Sequence, residues 1–363
     1  MDFAPSASQQ LLIATARDFL RRHCPPETAL GLALDERGFD AGLWRRMAEL
    51  GWPGLLIPGD LGGSDGSLLD VILLVEEMGR AALSGPFVTS AVAVTSLLVA
   101  ADHPEPQRRL LPGLAAGDRI ATLALVEDGG SFDPRAITLR CEAPGRLTGT
   151  KLFVKDAHVA TDLVVVLAGG DVLVLPTERA SIARLPLNTL SGEKLFEVRF
   201  DGVEVRAEDR LAAGVDALAA ALTAGALART AEMVGAAQRV LDLAVEHART
   251  RVQGGRPIGA YQAIQHACAD LVRDVDCARG LLHVAAWKAS EGVATAGDVA
   301  TAKAYAGEAC LAVARRGHQI FGAMGYCEEH PLHLLHKRIQ AGGVDFGDAG
   351  LHLETVARTI GLQ

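Results

Sequence analysis

R-T-R-V-Q-G-G-R-P-I-G-A-Y-Q-A-I-Q, residues 249–265, is the stretch around which the rest of the chain is read. It joins two long segments of helical habit. Upstream, residues 216–250 hold no proline and many alanines, and Val234, Leu241 and Val245 recur on one helical face. Downstream, residues 259–291 repeat that habit. Between them Gly254 and Gly255 supply positive φ, and Pro257 halts helix propagation. Arg249, Arg251 and Arg256 crowd the connection. Glycine leaves backbone N–H groups uncovered and arginine offers forked donors, so the turn suits a phosphate. The same arginines would also serve the last carbonyls of a helix, and local chemistry leaves both readings open.

Outward from this turn, the 363 residues are enough for two or three cores. Aromatic residues are scarce and alanine is plentiful, which suits a mostly helical protein. The formal charge is −9 with no basic block, which argues against a nucleic-acid partner. Cysteines 24, 141, 268, 277, 310 and 327 form no C-x-x-C pair and read as reduced, small hydrophobes of a cytoplasmic protein. The N-terminus lacks the basic and apolar runs of a secretory signal, and the apolar stretch 91–101 is too short to span a bilayer, so no membrane association is expected.

In chain order, residues 8–23 are amphipathic, with Ser8 as the expected cap and Pro25-Pro26 as the stop. Helices are predicted over 40–50, 68–80, 84–101 and 104–116. The loop 57–66 is rich in glycine, but its order is not that of a dinucleotide fingerprint. At Ile120 the period changes. Short β-branched runs separated by Gly, Pro and Asp continue to about Val205 and read as strands. Beyond Leu187 only Pro257 and Pro331 interrupt a helical pattern. The expected architecture is therefore mostly α with an inserted β domain: an N-terminal helical domain (1–118), a middle β-barrel-like domain (119–212) and a C-terminal four-helix bundle (213–363). The long alanine-rich helices leave broad apolar faces, so at least a dimer, and more specifically a tetramer, is expected.

The string from Arg251 to Gln265 resembles the signature R-x-Q-x-G-R-P-I-G-x-[YF]-Q-x-I-Q of the acyl-CoA dehydrogenase flavoproteins. A second string, Gln319-Ile-Phe-Gly-Ala-Met-Gly-Tyr326, is similar to the family's Q-x-x-G-G-x-G-[YF]. The resemblance implies FAD as cofactor, held between subunits, and α,β-desaturation of an acyl-CoA thioester. A carboxylate takes the α-proton, hydrogen bonds to the thioester carbonyl stabilise the enolate, and flavin accepts the β-hydride. It also implies an electron-transfer flavoprotein as acceptor and either a homo-oligomer or a heterotetramer with a related chain. Arg251, Gln253, Gly255, Ile258, Tyr261, Gln319, Gly322 and Gly325 fall on the positions that cover the diphosphate and adenosine. Gly254 and Ala323 depart from the family pattern.

The positions implied for the flavin ring are less well kept. Val126-Glu-Asp-Gly-Gly-Ser-Phe-Asp133 stands where the family has T-E-P-x-x-G-S-D, so Val126 replaces a hydroxyl. Phe153-Val154-Lys155 stands for W-I-T, so Phe153 keeps an aromatic ring while Lys155 replaces a threonine donor. The implied base position is Phe346, and the family's alternative position is Gly225. Asp345 is the first substitute base and Asp348 the second, although both also fit as caps of a last helix over 351–360. Glu328, Glu329, His330, His333 and His336 lack zinc spacings and read as a subunit or cofactor surface, with no metal expected. The short F-G-D loop resembles a bacterial subset acting on steroid side chains, dicarboxylates or cyclic acids, often as two different subunits. Two alternatives stand beside a self-sufficient dehydrogenase: a non-catalytic partner completing the FAD site of a base-bearing homologue, and a flavin oxidase or monooxygenase on the same fold.

Overall fold

The computed structural model describes residues 4–101, 103–142, 145–211 and 213–362, so the expected domain limits at 1, 212 and 363 lie outside the described residues. Helices come first: α1 (Ala7–His23), α2 (Pro26–Leu34), α3 (Ala41–Glu49), α4 (Leu68–Arg80), α5 (Thr95–Ala100) and α6 (Pro104–Ala115). The cap of α1 is Ser6 rather than Ser8. Ser6 Oγ accepts from Gln9 N at 3.2 Å while the Gln9 side chain accepts from Ser6 N at 2.9 Å, a reciprocal box set by S-x-x-Q. Pro26 opens α2 as well as following the end of α1, because a first-turn proline loses no hydrogen bond. The helix expected over 84–101 starts instead as an eight-residue π-helix, Phe87–Val94, fully buried, before α5.

The β region holds β1 (Ala121–Ala124), β2 (Cys141–Glu142), β3 (Arg146–Lys155), β4 (Asp162–Val166), β5 (Val172–Pro176), β6 (Ile182–Leu187), β7 (Leu195–Glu204) and β8 (Arg210–Leu211). These form two four-stranded sheets, ordered β1-β4-β5-β8 and β2-β3-β7-β6. Their inward side chains make one core: Leu163, Val165, Leu173 and Leu175 from the first sheet, Leu147, Val154, Val198 and Val203 from the second. All pairings are antiparallel except β1 with β4, which run parallel from Ala121↔Asp162 to Ala124↔Val165. The chain leaves β1 for the second sheet before returning at β4, and such a crossover permits parallel pairing where a hairpin would not.

The C-terminal part runs α7 (Gly214–Thr250), β9 (Val252–Gln253), β10 (Arg256–Pro257), α8 (Gln262–Ser290), α9 (Ala296–Phe321), α10 (Leu332–Val344) and α11 (Ala349–Thr359). By length and composition α7 would cross a membrane, but 72% of its most apolar window is buried within the protein, as in a core helix. The chain packs as two units, one of residues 1–31, 68–83 and 226–363, the other of 32–67 and 84–225. In the first, α4 crosses α7 backbone to backbone. A Cβ on Gly79 would lie 2.2 Å from the Glu232 carbonyl oxygen, and one on Gly235 would lie 1.9 Å from that of Glu76. Glycine is required at both positions by proximity. The crossing is reinforced by Arg279, whose Nε donates to Glu76 at 2.7 Å, and by Arg80, 2.5 Å from Asp242.

Candidate FAD site and the base position

The arginine-rich turn folds as a miniature hairpin. Gln253 pairs with Arg256 and Val252 with Pro257, and Gly254 (φ 60°) and Gly255 (φ 79°) make the reversal. Positive φ at both central residues is what a two-residue hairpin turn demands. Tyr261 Oη donates to the Gln253 carbonyl at 3.0 Å, and the Arg256 guanidinium lies 4.2 Å from the Tyr261 ring centre. Arg256 and Tyr261 thus brace the turn itself. Arg251 stays exposed, and among the described residues no carboxylate pairs with it.

The second string lies beside the first. His247, one turn before Arg251, stacks on Phe321, two residues after Gln319, with ring centres 4.4 Å apart and 21° between planes. Burial and then the nearby Arg251 charge hold the His247 pKa below its usual value. Gln319 is exposed, and Gly322 (φ 62°) faces open space. Gly325 differs from its neighbours: it is buried, and an added Cβ would press on Leu332 and Phe321 at 3.0 Å. An unpaired guanidinium, two exposed amides and uncovered glycine backbone at Gly255 and Gly322 form a donor set suited to a diphosphate. Ile258 is half-buried at the hairpin's end, and its N–H donates to the Arg251 carbonyl at 2.8 Å, fixing that residue's backbone.

On the β unit the residues matched to the flavin ring are differently employed. Val126 is buried, and its carbonyl accepts from Leu152 N at 2.8 Å. Phe153 sits in an irregularity of the β3–β7 pairing at φ 55°, a costly conformation for an aromatic residue, and is 48% exposed. Strain that presents a ring outward on a bulge is the kind that fold context preserves for a purpose. Lys155 Nζ is held 2.8 Å from Glu193 Oε1. Lys155 is thus taken up in an internal ion pair.

Sequence reasoning missed the centre of this loop. Glu127 accepts from Lys151 Nζ at 2.8 Å, Thr138 N at 2.8 Å, Thr138 Oγ1 at 2.6 Å and Leu139 N at 3.0 Å. Burial opposes its ionisation, but these donors outweigh it and hold the carboxyl at about 2. Lys151 is wholly buried and also donates to the Leu125 carbonyl at 2.9 Å. The signal was present: Leu147, Gly149 and Lys151 share one side of an alternating strand, and an inward lysine requires a partner.

The base position is the sharpest departure. Phe346 is buried at φ 56°, and its carbonyl accepts from His352 Nε2 at 3.0 Å, with that tautomer assigned from the geometry. Asp345 ends α10, and its Oδ2 lies 2.9 Å from Nε of the buried Arg229. Arg229 also pairs with Glu232. Arg229 stands one helical turn after Gly225 on α7. Lys303, wholly buried, donates to the Gly342 carbonyl at 2.5 Å; burial, with Arg229 adding to it and Asp345 opposing, brings its pKa down to about 8. Asp348 caps α11, accepting from Leu351 N at 2.9 Å.

The histidine-rich segment is an aromatic cluster. His330 packs on Phe321 at 4.6 Å, His318 on Tyr326 at 4.7 Å and on His336 at 5.0 Å, while His333 Nε2 meets the Glu328 carbonyl at 2.8 Å.

The acyl-CoA dehydrogenase N-terminal domain matches residues 6–118, and the C-terminal domain of the same family matches 212–361. The acyl-CoA dehydrogenase IpdE2 of Mycobacterium tuberculosis is 31% identical over 92% of this chain and 91% of its own length. The chain belongs to the acyl-CoA dehydrogenase family. Its cofactor is FAD, and its chemistry is oxidation at a CH–CH bond of an acyl-CoA thioester. Among solved structures, the ChsE4–ChsE5 complex of Mycobacterium tuberculosis superposes with a TM-score of 0.91 at 29% identity, over 99% of both chains. A steroid acyl-CoA dehydrogenase, Tcur3481–Tcur3483, gives 0.88 at 28% identity over 97% of both. The expected order of helical, β and helical parts is that of the family.

Proposed function

We propose that this chain is the FAD-clasping subunit of a two-chain acyl-CoA dehydrogenase, with the proton-abstracting carboxylate on its mate. The observation that carries this reading is the Arg229–Asp345 pair beside a buried Phe346. A general base must reach the substrate α-carbon with its lone pair available. Here one base position is an apolar ring, the other is a glycine, and the adjacent carboxylate is committed to a buried guanidinium.

Arg251, Gln253 and Gln319, with the backbone at Gly255 and Gly322, would hold the diphosphate. When bound, the flavin supplies the hydride acceptor. Around the hairpin and second string, Val252 is 54% exposed, Met324 51% and Tyr326 72%. Such apolar exposure beside the cofactor residues favours cover by another chain. The ChsE4–ChsE5 complex and the Tcur3481–Tcur3483 enzyme are each named for two chains, which supports a heteromer, here a heterotetramer. The steroid enzyme supports a bulky cyclic acyl group as substrate; an electron-transfer flavoprotein as acceptor and the cytoplasm as location complete the proposal.

The test is mutagenesis in the assembled enzyme. Asp345→Asn in this chain leaves turnover within about threefold, whereas Glu→Gln at the mate's base position lowers it by about 10²–10⁴-fold. A loss of that size from Asp345→Asn would instead make Asp345 the base.

A further inference from the structure

One cavity in the helical unit is lined by four arginines, and one of these makes no ion pair among the described residues. The cavity, about 330 Å³, opens between α1, α4, α7 and the start of α10. Its floor is apolar, with Leu20, Cys24, Ala29, Leu334 and Leu335 all buried. Its lining holds Arg17, Arg21, Arg80 and Arg239 against the single carboxylate of Glu77. Arg17 grips Glu77 through two bonds, of 2.6 and 3.0 Å. Arg80 lies 2.5 Å from Asp242, and Arg21 lies 2.5 Å from Asp18. The Arg239 guanidinium makes no ion pair or side-chain hydrogen bond among the described residues. Burial and then the neighbouring Arg80 charge lower its pKa, with Asp242 opposing. A guanidinium nevertheless keeps its proton, and Arg239 is among the residues that line the cavity.

We propose that this cavity binds a monocarboxylic acid with an aliphatic body, its carboxylate on the Arg239 fork and its body on Leu20, Leu334 and Leu335. The volume falls in the small-molecule range, and an apolar floor with one convergent charged group is the usual composition of such sites. A planar carboxylate matches the fork and balances one unmatched charge. A phosphate would bring excess charge and strand its remaining oxygens over the apolar floor.

The experiment is calorimetric titration of the full-length protein with decanoate, with decanol and inorganic phosphate as comparison probes. Decanoate should bind at one site, decanol at least about tenfold more weakly, and phosphate should not displace decanoate at equal concentration. Arg239→Gln should weaken decanoate at least about tenfold, and Arg239→Lys should recover only part of that loss, because an ammonium keeps the charge but not the fork. Equal binding of decanol and decanoate by the wild-type protein would overturn the proposal, whatever the variants do. So would displacement by equimolar phosphate. Decanoate binding that survives Arg239→Gln but is abolished by decanoyl-CoA would belong to the substrate pocket and would equally overturn it.

Discussion

The two halves of the expected cofactor grip have been treated differently. Around the diphosphate, the hairpin at 252–257 and the string at 319–326 keep an unpaired arginine, exposed amides and open glycine backbone. Around the chemistry, each departing residue has acquired an internal partner or been buried: Lys155 on Glu193, Asp345 on Arg229, and Phe346 in the core. The first region still addresses something outside the chain, and the second addresses the chain itself. A subunit that binds cofactor for another's reaction would have reason to keep the one and be free to convert the other.

The contrast can be broken at its strong side. Arg251→Ala should weaken FAD binding by about 1.5–3 kcal/mol, the worth of a charge-assisted hydrogen bond, or roughly 10- to 150-fold. Flavin retention on dilution of the assembled protein reads this directly. Unchanged retention would mean that the exposed guanidinium serves something other than the diphosphate.

On the converted side, Asp345→Asn should act on stability. Removing the carboxylate takes one close counter-charge from the buried Arg229, at a cost of about 2 kcal/mol. Denaturant unfolding measures it, and an unaltered midpoint would show the pair to be incidental. Lys303 adds a pH signature. Its pKa in the fold, about 8, lies below the ordinary lysine value of 10.5. The unfolded chain therefore binds more protons between these values, and this residue makes stability rise with pH across that window. Lys303→Met should remove that contribution while leaving flavin content unchanged. The smallest effect is expected at Asp348→Ala, which removes an N-cap worth about 1 kcal/mol and leaves turnover alone. A large loss of turnover there would return Asp348 to the list of bases.

Much of this was legible in the chain. The glycine pair in the Arg251–Tyr261 turn announced positive φ, and Gly254 and Gly255 have it. The helix expected over 68–80 and the change of period at Ile120 correspond to α4 and to β1, which starts at Ala121. What escaped was what depends on long-range packing. Phe87–Val94 widened to a π-helix in a fully buried setting that local pattern does not encode. The parallel β1–β4 pair depends on where the chain travels in between. Arg229 was lost in an alanine-rich helix because its partner lies more than a hundred residues away. The same distance hid the fate of Asp345, which reads as a candidate base only until that guanidinium is placed beside it.

The central claim rests on whether this chain can do the chemistry unaided. The chain is purified alone and with its base-bearing homologue, flavin absorbance is measured per chain, and an acyl-CoA substrate is added under anaerobic conditions. The account predicts that the chain alone holds little FAD and that no flavin bleaching follows, whereas the mixed assembly holds FAD that bleaches on addition of substrate. One FAD per chain in the isolated protein, reduced by the acyl-CoA, would contradict it.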